Sequence, residues 1–267
     1  MPYAEHPPPP ALAAFVRCAW TFESAACNAV LERIVPDGRC ELIVHFGDPY
    51  AEADGTPQPR VLFAGQLTRP LWVRSRGRAG VLGIRFHPAT ARRFLGMPLH
   101  HATDARIDMA RLDRPGTRAL ADAVKHATDG AARAALAAEY VSRRIALHPH
   151  DGDAPVARCV ASLESSRGAA TIGELERVAD VGRRQLERRF RDAVGVAPAM
   201  LARILRFRAV FDAIEHDAAR PWTDAALAAG YFDQSHLVRE FRRFVGCTPT
   251  AFATARPGLA SALVEPA

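Results

Sequence analysis

Two stretches decide the fold: Arg183-Arg184-Gln185-Leu186-Glu187-Arg188-Arg189-Phe190-Arg191-Asp192-Ala193-Val194-Gly195-Val196-Ala197-Pro198 and Gln234-Ser235-His236-Leu237-Val238-Arg239-Glu240-Phe241-Arg242-Arg243-Phe244-Val245-Gly246-Cys247-Thr248-Pro249. Leu186, Arg188, Phe190, Gly195 and Pro198 of the first recur as Leu237, Arg239, Phe241, Gly246 and Pro249 of the second, each displaced by 51 residues, and Arg191 recurs as Arg242. A period near 50 also suits propeller blades, but blades are strands and the spacing here is helical. Two copies of one helical unit are therefore expected.

Each copy reads as helix, tight turn, helix. In the first, Thr171 and Glu174 form a capping box, in which two side chains satisfy otherwise orphaned backbone donors. Ile172, Leu175 and Val178 or Ala179 supply an apolar side, and Asp180-Val181-Gly182 makes the turn. In the helix from Arg183, Leu186, Phe190 and Ala193 face inward. Arg183, Arg184, Glu187, Arg188 and Arg191 are left outside. The second copy starts at Thr223-Asp224, stops at Gly230 and turns through Tyr231-Phe232, and Asp233 is a favourable N-cap for its second helix. There Leu237, Phe241 and Phe244 or Val245 point inward, leaving Gln234, Ser235, His236, Val238 and Arg239 accessible.

A DNA major groove admits one α-helix, and side chains on its N-terminal part reach base edges. Two such helices must lie about one DNA turn apart, roughly 34 Å, to enter adjacent grooves on one face. Pro198–His216 can set that distance as a helix rising ~1.5 Å per residue, with Pro198 at its start and Met200, Ile204, Phe207, Phe211 and Ile214 as an apolar stripe. A helix with five arginines is also what a solvated face looks like. Two copies in identical register favour a reading surface for double-stranded DNA.

Composition agrees. The net charge is +6, Lys125 is the lone lysine, and charged residues make up 24% of the chain, so the cation is arginine and an anionic partner is suited. No stretch approaches the roughly 20 apolar residues of a membrane span, and the proline-rich start lacks the features of a secretion signal. Five scattered cysteines (Cys18, Cys27, Cys40, Cys159, Cys247) without a C-x-x-C pair point to reduced thiols and a cytoplasmic setting.

The N-terminal half has another period. Cys40, Leu42, Val44 and Phe46 alternate with Arg39, Glu41, Ile43 and His45; Leu82, Ile84 and Phe86 alternate with Val81, Gly83, Arg85 and His87. That is strand patterning, with Pro36-Asp37-Gly38 and Gly47-Asp48-Pro49 as turns. After Pro88 the pattern turns helical over 89–95, 117–127 and 131–147. His148–Asp153 has linker composition, so domains are expected at 1–150 and 151–267, with the paired helical units over about 155–256. The fold class expected is α+β: a β-rich, barrel-like domain with appended helices, then an all-α domain of two helix-turn-helix modules joined by a long helix.

The C-terminal residues resemble the DNA-binding domain of the AraC/XylS family of bacterial transcription regulators. The second copy carries the likeness most clearly: Asp224 through Gly230-Tyr231, Asp233-Gln234-Ser235-His236-Leu237, Arg239, Phe241-Arg242-Arg243 and Gly246-Cys247-Thr248-Pro249. The resemblance implies seven helices reading two adjacent major grooves, with Arg184, Glu187 and Arg188 base-facing in the first module and Gln234, Ser235, His236 and Arg239 in the second. The first module departs from the pattern at Glu176, where a small alanine is usual, at Asp180, on the turn glycine, and at Gly182, in place of a capping serine.

Arg33–Gly38, Leu42–Val44 ending at Gly47, Ala64-Gly65 and Leu82–Pro88 are similar to an N-terminal domain of one branch of AraC-like regulators. The resemblance implies sensing or dimerisation there, with Trp20, Asp37, His45, Trp72, Arg85 and His87 as candidate lining of an effector pocket. RNA polymerase, an unknown small-molecule effector and a homodimer through this domain are the partners so implied, beside DNA. Neither a cofactor nor a metal is expected: Glu41 and His45 lie on a strand, His100-His101 has no companion ligands, and H-E-x-x-H, G-x-S-x-G, P-loop and G-x-G-x-x-G patterns are absent. Catalysis is therefore not expected. The competing reading is a small-molecule-binding or catalytic protein whose helical half is an interaction module.

Overall fold

The computed structural model describes residues 3–25, 31–149, 152–216 and 221–254. Cys27, the His150–Asp151 part of the expected linker and residues beyond 254 lie outside them.

Among the described residues nine strands form the N-terminal part: β1 (Tyr3–His6), β2 (Val16–Ser24), β3 (Leu31–Ile34), β4 (Glu41–His45), β5 (Ala51–Glu52), β6 (Val61–Ala64), β7 (Leu71–Arg74), β8 (Ala79–Phe86) and β9 (Arg106–Asp108). They make two sheets, ordered β1-β2-β8-β4-β6-β9 and β3-β7-β5, with every pairing antiparallel. The sheets face each other as an open, barrel-like pair. Successive side chains on a strand point to opposite faces, so the period-two pattern sorts them. Leu42, Val44, Leu82, Ile84 and Phe86 join one core with helices α1 (Ala91–Leu95), α2 (Arg114–His126) and α3 (Gly130–Leu147). Val81, Trp20, Phe22, Val73 and Tyr50 form another between the sheets. β8 has both faces covered and is buried along its whole length. At Gly83 a Cβ would run into the Trp20 indole, so glycine there lets that ring lie flat across the sheet.

Among the described residues seven helices follow: α4 (Ala154–Ser165), α5 (Ile172–Ala179), α6 (Arg183–Val194), α7 (Pro198–His216), α8 (Trp222–Ala228), α9 (Gln234–Val245) and α10 (Pro249–Thr254). The α5 capping box is present, with both the Thr171 side chain and Glu174 engaged. Asp180 ends α5 at φ 53°, a left-handed conformation that costs a residue with a Cβ roughly 1–2 kcal/mol. Asp233 caps α9 by accepting from the His236 amide at 2.6 Å. Leu186, Phe190 and Ala193 are buried in the first module and Leu237, Phe241, Phe244 and Val245 in the second.

The helix α7 differs from the single stripe expected. Leu201 and Ala202 join the core of the first module, while Ile204, Phe207, Val210 and Phe211 join that of the second. A third side meets the N-terminal domain, where Gly38 rests against Leu201, Ile204 and Leu205 and Val35 enters the second module's core. A helix with three neighbours needs apolar residues around most of its girth, which blurs the period of one face.

Phe207 is fully buried among Phe211, Phe241 and Phe244. Phe207→Ala is expected to cost ~3–5 kcal/mol in denaturant unfolding. Asp180→Gly should instead raise stability by about 1 kcal/mol, measured the same way.

Candidate nucleic-acid interface

The starts of α6 and α9 are the exposed ends of two equivalent helices. On α6, Arg183, Arg184, Arg188 and Arg191 are exposed and Glu187 is half-buried. Glu187 accepts from Arg183 Nε at 3.2 Å and lies 4.0 Å from Arg191. These are i,i+4 surface pairs, each worth only a few tenths of a kcal/mol, so they open readily. Among the described residues, Arg184 and Arg188 make no ion pair. The fifth arginine of the run, Arg189, is turned inward: it forms a two-pronged pair with Asp153 at 2.7 and 2.6 Å, tying α6 to the start of α4. Gly182 caps α6 without a side-chain hydrogen bond, a substitution that costs only tenths of a kcal/mol.

On α9, Gln234, Ser235, Arg239 and Arg242 are exposed. His236 is half-buried, its ring edge-on to Tyr231 at 5.0 Å. Its side chain therefore packs the turn as well as facing outward. Glu240 is buried and paired with Arg203 of α7, which locks the helix at its middle. Gln185 and Arg243, both exposed, and Phe232 in the second turn, 89% exposed, join this surface without standing out in the sequence pattern. An aromatic left bare on a turn between two capped helices is the signal that would have found the last.

The far ends of both helices are held by the N-terminal domain. Gly195 and Gly246, at φ 96° and 81°, are the left-handed caps of α6 and α9. Gly195 lies against Leu99 and Thr103, and the Thr103 hydroxyl donates to its carbonyl at 2.5 Å. His100 adds a 3.2 Å contact to Asp192. Gly246 lies against Pro70 and Trp72. Beside it, Arg33 stacks on Trp72 at 4.4 Å and donates to Cys247 Sγ at 3.0 Å. The two anchoring loops are joined, since Asp104 accepts from the Thr68 amide and hydroxyl at 2.8 and 2.6 Å.

The six candidate pocket residues separate. Trp20, Asp37, His45 and Arg85 line one cavity between the sheets. Its polar side is a chain in which Glu41 accepts from Trp20 Nε1 at 3.0 Å and Arg85 Nε at 2.8 Å. Burial pushes the Glu41 carboxyl up, against the opposing pull of Arg85. Burial likewise pushes His45 down to about 4, so it is neutral at pH 7. Trp72 lies outside the cavity, because its strand face turns toward Arg33 and the Gly246 end of α9. His87 is also outside. It follows the last residue of β8 and lines a groove between the domains with Arg17, Glu164 and Arg208.

Among the described residues no group of three His, Cys, Asp or Glu side chains could hold a metal ion, and no helix is long and apolar enough to cross a membrane. Residues 4–108 match the family described as a domain of unknown function (DUF6597), and residues 175–255 match the AraC-type family described as a helix-turn-helix domain. No curated protein matches the chain. Among solved structures it is similar to ToxT from Vibrio cholerae, at 7% identity over 94% of this chain and 98% of that one, TM-score 0.47. It is also similar to ToxT bound to (E)-4-(8-methylnaphthalen-1-yl)but-3-enoic acid, at 9% identity over 87% and 96%, TM-score 0.47. The unsaturated fatty acid-bound form gives 9% identity over 87% and 90%, TM-score 0.44. With two capped, arginine-bearing helices in one register and a family match across both, the C-terminal part belongs to the AraC-type helix-turn-helix family, and the chain is a DNA-binding transcription regulator.

Proposed function

We propose that α6 and α9 enter adjacent major grooves of one DNA face, and that the N-terminal domain, roughly residues 1–150, sets their readiness to do so. Arg184, Arg188, Gln234, Ser235 and Arg239 read base edges; Arg pairs with guanine and Gln with adenine through two bonds each. Arg183, Arg191 and Arg242, a turn further round or along, contact phosphates. Glu187 holds its arginine neighbours and can accept from a cytosine amino group, and His236 shapes the start of α9. The observation that carries the reading is the pair of exposed helix starts whose glycine-capped far ends are both held by one domain. Restraining two reading heads before binding removes part of the ordering cost of association.

In this reading the protein is cytoplasmic and not an enzyme. It acts on double-stranded DNA, with RNA polymerase and a second copy meeting through the N-terminal domain as further partners. A small molecule in the inter-sheet cavity is the signal. The segment Val35–Arg39 supports such coupling: Val35, Asp37 and Arg39 line the cavity, Gly38 touches α7, and Arg39 reaches Glu164 of α4 at 2.8 Å.

Selection from random duplexes with the full chain supplies a cognate site. On it, Arg188→Ala and Arg239→Ala should each cost ~1–3 kcal/mol with relaxed preference at one position. Unaltered affinity in gel-shift titrations of both variants would overturn the assignment. Trp72→Ala removes the platform under Arg33, and a cation–π contact of ~1 kcal/mol corresponds to about fivefold weaker site binding. The variant should also discriminate less between the selected spacing and one lengthened by a base pair.

A further inference from the structure

The inter-sheet cavity encloses about 120 Å³. An apolar cavity of roughly 150 Å³ admits one benzene ring and little more, so this space suits a compound of single-ring size. Its walls are largely apolar, with Phe22, Ile34, Ile43, Leu71, Val73 and Val81 around the Trp20 indole. Asp37, Arg39 and Arg85 line both the cavity and the groove between the domains, so only these side chains separate the two.

The polar groups decide what charge is tolerated. Three guanidinium groups reach the cavity, and each already holds a carboxylate: Arg85 with Glu41 at 2.8 Å, Arg39 with Glu164 at 2.8 Å, and Arg106 with Glu52 at 2.7 Å on both prongs. An anion would have to displace one of those carboxylates or lie beside Asp37 and Glu41. At the other end, His45 is 2% exposed and Tyr50 5%, and their rings are 5.9 Å apart. Among the described residues the Tyr50 hydroxyl has no hydrogen-bond partner, and the His45 ring nitrogens make no hydrogen bond of good geometry, with the Gln58 side chain, also in the cavity wall, beside them. A buried polar group left unpaired is destabilising, and a ligand hydroxyl can both donate to and accept from such a pair.

We infer that this cavity binds an uncharged, single-ring-sized compound carrying one hydroxyl group, which hydrogen-bonds His45 and Tyr50. The inference rests on the reading of the cavity as the signal site and adds the chemical class of the signal. Among the described residues, the three lining guanidinium groups disfavour a cation by their charge and an anion because each already holds a carboxylate; size follows from the cavity volume.

Calorimetric titration of the full chain at pH 7 tests it, with phenol as probe and toluene, benzoate, benzylamine and decanoate as comparators. Phenol is expected to bind saturably at one site, and each comparator at least about tenfold more weakly. His45→Leu removes two buried ring nitrogens and Tyr50→Phe one buried hydroxyl, none of them in a hydrogen bond of good geometry, so both variants are expected to fold with undiminished melting temperature. His45→Leu should weaken phenol about tenfold and reverse its preference over toluene. No saturable phenol binding, benzoate, benzylamine or decanoate binding as tightly as phenol, or unchanged phenol affinity in both variants would each overturn the assignment. Gel shifts with and without phenol give a separate readout. Calorimetric binding with no change in DNA affinity would leave the ligand class standing and sink the signalling role.

Discussion

The structure depends on one helix being buried by three partners at once. α7 gives Leu201 and Ala202 to the first module, Ile204, Phe207, Val210 and Phe211 to the second, and a shoulder at Leu201 and Leu205 to the N-terminal domain. Interiors are close-packed and do not deform continuously. A rigid helix shared by two cores therefore fixes the relative orientation of α6 and α9 before DNA is met. Arg206 reinforces this by donating to the Gly168 carbonyl at 3.0 Å, and Arg203 by holding Glu240. Ion pairs and hydrogen bonds at the flanks of α7 select its register, while the apolar contacts supply most of the stability.

The N-terminal domain adds a second restraint of a different kind. Beside the apolar contacts of Val35 and Gly38, it holds the far ends of α6 and α9 by polar or arginine contacts, at Thr103–Gly195, His100–Asp192 and Arg33–Cys247. Such contacts contribute about 1 kcal/mol apiece, against several for a buried aromatic such as Phe207. The shared core keeps the modules intact, and the weaker bracket adjusts their freedom. A balance of that size suits regulation, because a ligand shifts an equilibrium only by its differential affinity for the two states.

Much of this was legible in the sequence because it is local. The capping box at Thr171 and Glu174, the N-cap at Asp233, the glycine caps and the inward heptad-like residues all act within one or two turns of helix, and the 51-residue repeat doubled each signal. Strand alternation likewise assigned Leu42 and Val44 to one face and Glu41 and His45 to the other. It could not say which second sheet each face would meet, so Trp72 and His87 were grouped with a cavity that neither lines. Arg189 looked like its neighbours, but its partner Asp153 lies 36 residues away, and pairing at that range leaves no periodic trace. The girth of α7 was hidden for the same reason, since its third neighbour is Gly38, more than 160 residues upstream.

Under the proposed signalling role, glycine at 38 is the short link between the inter-sheet cavity and the DNA-reading helices. The residue has φ 82° and packs on Leu201, so a side chain there would meet both backbone strain and α7. Its carbonyl accepts from Gln66 at 2.8 Å, and Gln66 also neighbours Gly195 at the end of α6. The turn is thus pinned on the cavity side by Asp37, which accepts from the Arg39 amide at 2.9 Å, and on the other by the helical domain. In the proposed signalling role, a compound that shifts Asp37 or Arg39 moves Gly38 between them, on which the side chains of Leu201, Ile204 and Leu205 lie. Coupling of this kind needs no long chain of intermediates, because one five-residue turn touches the cavity, α4 and α7 together.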